Sequence, residues 1–334
     1  MKKYKNALCL MKAFPLHMGH LHLINTALEH SEIVHVVITY NKEQNIPGHV
    51  RFEALNSIYK NNENVRKYIV PDDGLPQHPD PNKSLDEFYN IWVPLVYKNV
   101  KELDVVFTSE DYGDEFAKYL GVEHFLVDKD RKKYPISGTK IRDNIFDNWD
   151  YLPEEIRPFF IKRISIMGPE SCGKSTLTER LSNYFNTNFV LEYGRIVYES
   201  KNGELNINDF RTISEGRQDL EDWLIKKSNK LIFCDTEDIT TYIFSQLFFP
   251  NEYLKVKKYF DNIIEKKPKY DIYILLKPDC DSIQDGTRKF LDDRWKHYQI
   301  IKDNLIEREC NFVEIGGDWE NRFSQSKKVI SELL

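Results

Sequence analysis

The residues best suited to chemistry lie in the middle of the chain, where glycines, a lysine and a serine follow a short apolar stretch. Residues 168–175 read GPESCGKS and fit the pattern GxxxxGK[ST]. In such a loop, backbone N–H groups point at phosphate oxygens, and the helix that follows adds positive potential. Lys174 would hold the β- and γ-phosphates of a nucleotide, while Ser175 would bind Mg²⁺ through its hydroxyl. The motif predicts an ATP site built from Gly168, Glu170, Ser171, Gly173, Lys174, Ser175 and Thr176.

Two acidic residues at the ends of apolar stretches, and an arginine in a polar loop, could complete a phosphoryl-transfer site. Asp235 ends the stretch LIFCD, where such folds place a Mg²⁺ ligand or an acid that faces the substrate. Glu192 ends another predicted strand, and Arg288 lies in a loop that could bring it onto the transferred phosphoryl group. A helix-capping carboxylate and a solvated arginine are the alternatives. The expected catalytic residues are Lys174, Asp235, Glu192 and Arg288, and the expected metal ligands are Ser175 and Asp235.

A second group of polar residues, near the N-terminus, pairs two histidines across a glycine. Residues 14–20 read FPLHMGH, and they follow a predicted strand and open a predicted helix. Histidines in this place can donate hydrogen bonds to phosphate oxygens alongside the helix dipole. Metal binding by His17, His20 and His22 is the alternative, but no carboxylate or cysteine lies at ligand spacing. The expected catalytic residues are His17 and His20, and the expected nucleotide contacts are Phe14 and Gly19.

A cluster of hydroxyl and basic residues lies further along the chain. Residues 136–142 read ISGTKIR, so that a hydroxyl could cap a helix whose first turn carries Lys140 and Arg142. Cations in a first turn oppose the helix dipole, which suggests that a bound anion compensates for them. Two surface histidines and an ordinary Ser/Thr N-cap are the alternative. With the histidine pair, the cluster predicts a second nucleotide site, in which Arg142 is catalytic and Ser137, Thr139 and Lys140 contact the nucleotide.

Both groups need a scaffold that brings distant loops together, and the apolar pattern provides one. Strand-like runs at 7–10, 33–40, 65–70, 103–108 and 124–127 alternate with helical patterns at 49–60, 84–98 and 111–120. After the proline-containing segment 148–162, predicted strands recur at 163–167, 188–192, 231–235, 271–276 and 312–315. Such alternation is typical of parallel sheets made of βαβ units. The sequence therefore predicts two α/β domains, residues 1–150 and 160–334.

The overall composition favours a globular enzyme without nucleic-acid or membrane partners. The chain has 334 residues, 41% of them hydrophobic and 30% charged, and a formal net charge of −6. This acidic balance gives no support for a nucleic-acid-binding surface. The five cysteines form no CxxC pair, which disfavours a disulfide framework or a structural zinc site. No apolar run is long enough to cross a bilayer or to form a signal peptide, so we expect a cytoplasmic protein.

The HxGH and SGTKIR motifs resemble the signature of the HxGH nucleotidyltransferase superfamily. From about residue 8 onward, the chain resembles the NadR family, whose members join a nicotinamide-mononucleotide (NMN) adenylyltransferase to a ribosylnicotinamide kinase. The further matching segments are 51–52, 108–113, 127–128 with Arg131, 168–176, 192–195, 235–237, 240–241 and 285–288. The resemblance implies a Rossmann-like nucleotidyltransferase domain followed by a P-loop kinase domain.

The resemblance implies that the C-terminal half phosphorylates ribosylnicotinamide with ATP and Mg²⁺. The 5′-hydroxyl of ribosylnicotinamide would attack the γ-phosphate of ATP. Lys174, Mg²⁺ on Ser175 and Arg288 would neutralise charge during the transfer. Asp235 or Glu192 would orient or deprotonate the hydroxyl.

The resemblance implies that the N-terminal half converts NMN and ATP into NAD and pyrophosphate. The NMN phosphate is already an anion, so it could attack the α-phosphate of ATP without a covalent enzyme intermediate. Catalysis would then amount to alignment and charge stabilisation. The residues expected to provide it are His17, His20, Lys140 and Arg142. The candidates for an aromatic partner of the nicotinamide ring are Trp92 and Trp295.

The chain departs from the family in two places. Family members that act as transcriptional repressors carry a helix-turn-helix before the HxGH domain, whereas about seven residues precede the first predicted strand here. The resemblance therefore implies an enzyme that does not bind DNA specifically. Met11 and Ala13 stand where the family has a glycine and an aromatic residue. We expect these two changes to weaken the affinity for NMN rather than to lower turnover.

Other functions fit the same motifs. A coenzyme A synthase-like fusion also joins an HxGH adenylyltransferase to a P-loop kinase, but segments 192–195, 235–237 and 285–288 favour nicotinamide substrates. A nucleotide-sensing protein with one inactive half is the alternative outside catalysis. The phosphate loop by itself does not separate a kinase from a nucleotide-hydrolysing switch. The sequence is compatible with a homo-oligomer and does not fix the number of subunits.

Overall fold

The chain divides into two compact units, Met1–Phe159 and Phe160–Leu334. The computed structural model describes residues 2–266, 270–282 and 291–334. Each unit contains a parallel sheet with helices, so the predicted α/β class with two parallel sheets is confirmed. Arg288, which the sequence predicts to be catalytic, lies outside the described residues.

The first unit alternates strands and helices in the predicted order. Its strands are β1 (Tyr4–Met11), β2 (Ser31–Tyr40), β3 (Val65–Pro71), β4 (Val105–Thr108) and β5 (Glu123–Leu126). Its α-helices are α1 (Met18–His30), α2 (Gly48–Ile58), α3 (Leu85–Asn99), α4 (Gly113–Leu120) and α5 (Gly138–Asp143), followed by short 3₁₀ turns at Trp149–Tyr151 and Arg157–Phe160. The sheet has the order β3-β2-β1-β4-β5, and Ala7 of β1 pairs with Val34 on one side and Val105 on the other.

This strand order determines where a ligand can bind in the first unit. The chain moves outward from β1 to β2 and β3, then returns to the other side of β1 for β4 and β5. In an open parallel sheet, the loops diverge at such a reversal and leave a crevice at the carboxyl ends of the two central strands. Leu8, Val37 and Val106 pack against Trp92 and Phe116 from the helices, which fixes the sheet below that crevice. Burying such side chains contributes roughly 2 kcal/mol each.

The second unit has the same architecture with different helices. Its strands are β6 (Lys162–Met167), β7 (Phe189–Val190), β8 (Leu231–Asp235), β9 (Ile272–Leu276) and β10 (Phe312–Ile315), in the order β10-β9-β6-β8-β7. Its α-helices are α6 (Lys174–Tyr184), α7 (Tyr193–Ser200), α8 (Asp209–Leu224), α9 (Asp238–Phe248), α10 (Leu254–Lys266), α11 (Arg294–Glu307) and α12 (Trp319–Ser331), with 3₁₀ turns at Ile225–Lys227 and Leu291–Asp293.

Alternate residues of the central strands of this sheet face opposite layers. Ile164 and Ile274 pack with Leu181 and Ile330 from α6 and α12. Met167 and Leu275, on the opposite face of the same strands, belong to a separate core with residues of α9 and α11. Because both faces of the sheet are covered, its strands read as continuous apolar runs rather than as alternating ones.

The predicted strand 188–192 is shorter in the structure than in the sequence pattern. Only Phe189 and Val190 form ladder pairs, with Phe233 and Cys234. Glu192 instead occupies the N-cap position of α7, a helix that the apolar pattern does not reveal because its residues are mixed in polarity. None of the helices in the described ranges is both long and apolar enough to cross a membrane.

Candidate active sites

The predicted phosphate loop connects β6 to α6, and its backbone needs glycine at both ends. Gly168 has φ +148°, and a Cβ there would lie 2.9 Å from the Leu276 carbonyl oxygen. Gly173 has φ +83°, and a Cβ there would lie 2.0 Å from Cη2 of Trp319. Residues with side chains rarely adopt such angles, so the glycines permit both the curl of the loop and its close packing.

Lys174 begins α6 with its side chain buried inside the phosphate loop. Its Nζ donates a hydrogen bond to the Pro169 carbonyl at 2.9 Å. Burial alone would lower the pKa of Lys174, but the acidic groups of Cys172, Glu192 and Asp235 outweigh it and raise the pKa above its ordinary value. The ammonium group therefore stays charged in a site with little water, where it can bind phosphate oxygens strongly.

Asp235 ends β8 beside the phosphate loop and has the most informative environment of the acidic residues there. The residue is 1% exposed, and its Oδ1 has no hydrogen-bond partner among the described residues. Burial and the charge of Glu192 raise its pKa to about 6, against the opposing effects of Lys174 and of a hydrogen bond from Ser175. A buried carboxylate next to a serine hydroxyl, with one oxygen left free, fits a Mg²⁺ ligand set.

A cavity of about 550 Å³ extends from the phosphate loop toward α7, α8 and α9. The predicted residues that line it are Glu170, Ser171, Gly173, Lys174, Ser175, Thr176, Glu192 and Asp235. The apolar part of its wall comes mainly from Phe189, Leu191, Tyr193, Ile213, Phe244 and Phe248. Gly168 shapes the loop and does not line the cavity. A cavity with phosphate donors at one end and an apolar wall at the other suits a small molecule with a ring and a hydroxyl.

Sequence reasoning missed Arg217, which lines the same cavity. Arg217 lies in α8 and is 2% exposed, with Nη2 2.7 Å from Asp238 Oδ2 and Nη1 2.6 Å from Glu221 Oε2. Ser214 also donates to Asp238, at 2.5 Å. These contacts hold the middle of α8 to the start of α9 beside the cavity. The spacing of charged residues along α8 resembles that of a solvated helix, so the sequence carries no signal for this role.

In the first unit, the histidine pair is positioned by the start of α1. His17 is the N-cap, and its Nδ1 accepts a hydrogen bond from the Gly19 N–H at 3.1 Å. The Nδ1 of His20 accepts from the His17 N–H at 3.3 Å, and the two ring centroids lie 3.8 Å apart. Because Nδ1 is the acceptor in each ring, the proton of each neutral imidazole lies on Nε2.

Both histidines are held in the neutral form. Burial, with a smaller effect of Arg131, lowers the pKa of His17 to about 4. Burial, followed by His17 and Arg131, lowers the pKa of His20 well below its ordinary value. At neutral pH the pair therefore offers two N–H donors, as predicted for phosphate binding, without adding positive charge.

The segment 136–142 packs directly against the residue that precedes the histidine motif. Arg142 donates from Nη1 to the Phe14 carbonyl at 2.5 Å, and its guanidinium lies 4.4 Å from the centroid of the Phe14 ring. Gly138 has no room for a side chain, because a Cβ would lie 2.5 Å from the same carbonyl oxygen. The structure therefore brings the two predicted motifs together at one site.

The helix-dipole argument for Lys140 and Arg142 does not hold in the structure. Helix α5 spans six residues, so both side chains belong to its last turn. Ser137 caps the helix as predicted, accepting from the Lys140 N–H at 3.2 Å. The Lys140 ammonium, however, reaches the Pro135 carbonyl at 3.4 Å and does not line the cavity. Arg142 and Thr139 do line it, so they remain candidates for contact with a nucleotide.

The cavity at this site, the histidine cavity, has a volume of about 660 Å³. The predicted residues that line it are Phe14, His17, Gly19, His20, Ser137, Thr139 and Arg142. Arg131 also lines it and is an additional cation, with Nη1 3.2 Å from the Ile136 carbonyl and Nη2 3.6 Å from Glu110. Trp92, one of the two suggested ring partners, lines the cavity, whereas Trp295 is 58% exposed and lines neither cavity.

Met11 and Ala13, which depart from the family pattern, both lie at the base of this cavity. Ala13 is fully buried with φ +46°, in the left-handed region. A bulky aromatic residue fits such a backbone poorly. The next residue, Phe14, contributes an aromatic ring to the cavity wall, and this ring lies 5.3 Å from the guanidinium of the buried Arg51.

A hydrogen-bonded chain supports the loop that follows β4. His124 Nε2 lies 2.8 Å from the Thr108 hydroxyl, and its Nδ1 lies 2.7 Å from Asp114 Oδ1. A Cβ on Gly113 would lie 2.2 Å from the same imidazole, so the loop can close over His124 only with glycine there. These hydrogen bonds keep Thr108 and Glu110 at the wall of the histidine cavity.

Together, these features define a class of protein with two α/β nucleotide-binding units. One has an HxGH site, and the other has a phosphate loop beside the cavity of about 550 Å³, the acceptor cavity. The family profile described as "AAA domain" matches residues 163–322. Two relatives that align with almost the whole chain are trifunctional NAD biosynthesis/regulator proteins named NadR. The one from Escherichia coli K12 is 29% identical, with 97% of this chain and 82% of that protein aligned. The one from Salmonella typhimurium LT2 is 28% identical with the same coverage.

Solved structures show the same fold. A NadR protein in complex with NR superposes with a TM-score of 0.81 at 23% identity, over 98% of this chain and 96% of that one. A NadR protein with NAD and AMP-PNP gives a TM-score of 0.82 at 20% identity, over 99% and 97% of the two chains. The chain is homologous to NadR, and the resemblance found in its motifs is confirmed.

Proposed function

We propose that the chain carries out two consecutive steps of NAD synthesis. The unit Phe160–Leu334 would phosphorylate ribosylnicotinamide with ATP, and the unit Met1–Phe159 would join the resulting NMN to the adenylyl group of a second ATP. The observation that carries the proposal is the presence of two separate phosphate-binding cavities in a chain that aligns with NadR over 97% of its length. The same alignment favours nicotinamide substrates over those of a coenzyme A synthase-like fusion.

In the kinase reaction, the 5′-hydroxyl oxygen forms a bond to the γ-phosphorus as the bond from that phosphorus to the β–γ bridging oxygen breaks, and ADP leaves. Lys174 is placed to stabilise the charge on the transferred phosphoryl group. Glu192, at the cavity wall and 3.6 Å from Arg195, is placed to orient the hydroxyl and accept its proton. We assign Asp235 to the metal instead, because its buried carboxylate lies beside Ser175 and its Oδ1 has no hydrogen-bond partner among the described residues.

The residues present fit Mg²⁺ when it accompanies the nucleotide. Mg²⁺ is usually held by one or two protein groups together with substrate phosphates and water, rather than by a full protein cage. No group of three or more His, Cys, Asp or Glu side chains in the described part of the chain could form such a cage. Ser175 and Asp235 would hold the ion, which when bound neutralises charge on the phosphates.

In the adenylyl transfer, a phosphate oxygen of NMN forms a bond to the α-phosphorus of ATP as the α–β bridging bond breaks, and pyrophosphate leaves. The Nε2–H groups of His17 and His20 are placed to donate to the phosphates. Arg142 and Arg131 add positive charge at the wall of the same cavity. These groups are fixed by the fold before substrate binds, so they require little reorganisation during the reaction.

The test of the proposed function is to supply ATP, Mg²⁺ and ribosylnicotinamide and to follow the products by chromatography. We expect NMN to appear first and NAD to follow. ATP hydrolysis without either product would contradict the proposal and favour a hydrolysing switch. Accumulation of NMN without NAD, even when NMN is supplied in excess, would favour the alternative with one inactive half.

Phosphorylation of ribosylnicotinamide is expected to decline as the pH falls through about 6, the pKa of the buried Asp235. Above this pH the carboxylate is ionised and can bind Mg²⁺, whereas below it the group is neutral. The measurement is the pH profile of kcat/KM for the kinase reaction. Mg²⁺ and the proton compete for one carboxylate, so a higher Mg²⁺ concentration should move the decline to lower pH.

Adenylyl transfer by the same preparation provides the control for this profile. The pKa of His17 is about 4, and that of His20 is also lowered, so neither group should titrate near pH 6. A decline shared by both activities would indicate unfolding rather than titration at the metal site. A kinase profile that is flat from about pH 5 to 7 would contradict the assignment of Asp235.

A further inference from the structure

Trp319 lies against the phosphate loop while much of its indole remains open to solvent. It is the first residue of α12, and the edge of its six-membered ring occupies the space where Gly173 would carry a side chain. The residue is nevertheless 47% exposed. An indole presents a flat apolar face, so the exposed part of this ring has surface available for a flat ligand.

The position of Trp319 is fixed by hydrogen bonds on both sides. Arg322, one helical turn later, is 1% exposed and donates to the carbonyl oxygens of Cys172 at 2.8 Å and Gly317 at 2.7 Å. The Asp318 side chain caps α12 by accepting from the Asn321 N–H at 2.8 Å. The loop between β10 and α12 is therefore tied to the phosphate loop, and the indole is held in place before any ligand arrives.

The direction of the kinase reaction indicates which part of the nucleotide lies near Trp319. The acceptor cavity extends from the phosphate loop toward β8 and β7, on one side of β6. In phosphoryl transfer, the attacking and leaving oxygens are roughly in line, so the leaving nucleotide extends away from the acceptor. The opposite side of β6 carries β9 and β10, and Trp319 follows β10 at the same edge of the sheet.

We propose that the exposed face of Trp319 stacks on the base of the nucleotide that donates the phosphoryl group. This inference rests on the kinase activity proposed above and adds the recognition of the donor. Every nucleobase has a π-face, so stacking strengthens binding without selecting strongly among bases. Trp319 is accordingly a binding residue for the donor and does not take part in the chemical step.

The test is titration calorimetry on the full chain, with Mg²⁺–ADP and inorganic triphosphate as separate ligands. Because the histidine cavity also takes a nucleotide under the proposed function, binding to the phosphate loop is defined as the part that Lys174→Ala removes. We expect Trp319→Ala to weaken this part of ADP binding by about 5- to 150-fold, the range that base–aromatic stacking covers. GDP should weaken to a similar extent, whereas triphosphate has no base and should bind as before.

Trp223→Ala provides the matched control, since Trp223 is 54% exposed in α8 and does not line the acceptor cavity. Trp223→Ala should change neither the affinity for ADP nor that for triphosphate. Trp319→Phe keeps an aromatic face and should recover most of the ADP affinity. Equal weakening of ADP and triphosphate by Trp319→Ala would show that the indole only supports the loop, and would overturn the inference. Unchanged ADP affinity would overturn it too. If Lys174→Ala removes no ADP binding at all, both the proposed kinase function and the inference about Trp319 fail.

Discussion

Replacing Lys174 with alanine is expected to lower kcat/KM for ribosylnicotinamide phosphorylation by about a thousandfold and to spare adenylyl transfer to NMN. The ammonium is buried in the phosphate loop, remains charged, and donates a hydrogen bond to the Pro169 carbonyl of that loop. Alanine leaves the phosphates without this charge in a site of low dielectric, where a lost ionic contact costs most. The measurement is the rate of each reaction with its own substrates.

Selectivity between the two activities is what makes this result informative. Under the proposed function, adenylyl transfer takes place in the histidine cavity, whose lining contains none of the phosphate loop. Lys226→Ala serves as the control because this lysine is exposed in the 3₁₀ turn after α8 and should affect neither reaction. An equal loss of both activities in a folded Lys174→Ala protein would refute the separation of the two sites.

Replacing His20 with alanine is expected to lower adenylyl transfer by about a hundredfold or more, the usual effect of removing one transition-state donor. The Nδ1 of His20 is occupied by the His17 backbone, so its Nε2–H is the group that faces the phosphates. Because its pKa is lowered, His20 donates as a neutral imidazole. The loss should therefore be similar across the neutral pH range, unlike the loss of a group that titrates there.

The loss of the His20 contact to the start of α1 has to be separated from the loss of catalysis. His20→Asn keeps a side-chain amide that can donate a hydrogen bond, so it should recover part of the rate that His20→Ala loses. His49→Ala is the control for a histidine outside the cavity. Thermal unfolding of each variant shows whether the first unit remains folded. Unchanged NAD formation from NMN in His20→Ala would remove His20 from the mechanism.

Local patterns predicted the scaffold and the position of the phosphate loop well. The curl of residues 168–175 depends on glycines and on the strand and helix beside them, and all of these are adjacent in sequence. The apolar strands could also be recognised, because a parallel strand that is buried on both faces leaves a continuous apolar run. The short strand β7 was overestimated, since the end of its apolar run belongs to the N-cap of α7.

The histidine motif shows how far a local pattern reaches. Its residue types predicted hydrogen-bond donors at a helix start, and the structure places them there. The protonation of the rings follows only from burial and from the nearby Arg131, which is more than a hundred residues away in sequence. The place of Lys140 depends on the length of α5, which a six-letter motif does not give. In this short helix its ammonium reaches the Pro135 carbonyl and does not line the cavity.

The sequence by itself determined the two α/β units, the two phosphate-binding motifs and the likeness to NadR. Each of these depends on residues that are adjacent in the chain or on the periodic spacing of apolar residues. Only the tertiary structure decided that Arg217 lines the acceptor cavity and that Trp319 lies against Gly173. Charged residues on an amphipathic helix look the same in sequence whether they face water or a buried carboxylate. Their surroundings depend on which helices pack together, and that packing is set by contacts between residues far apart in the chain.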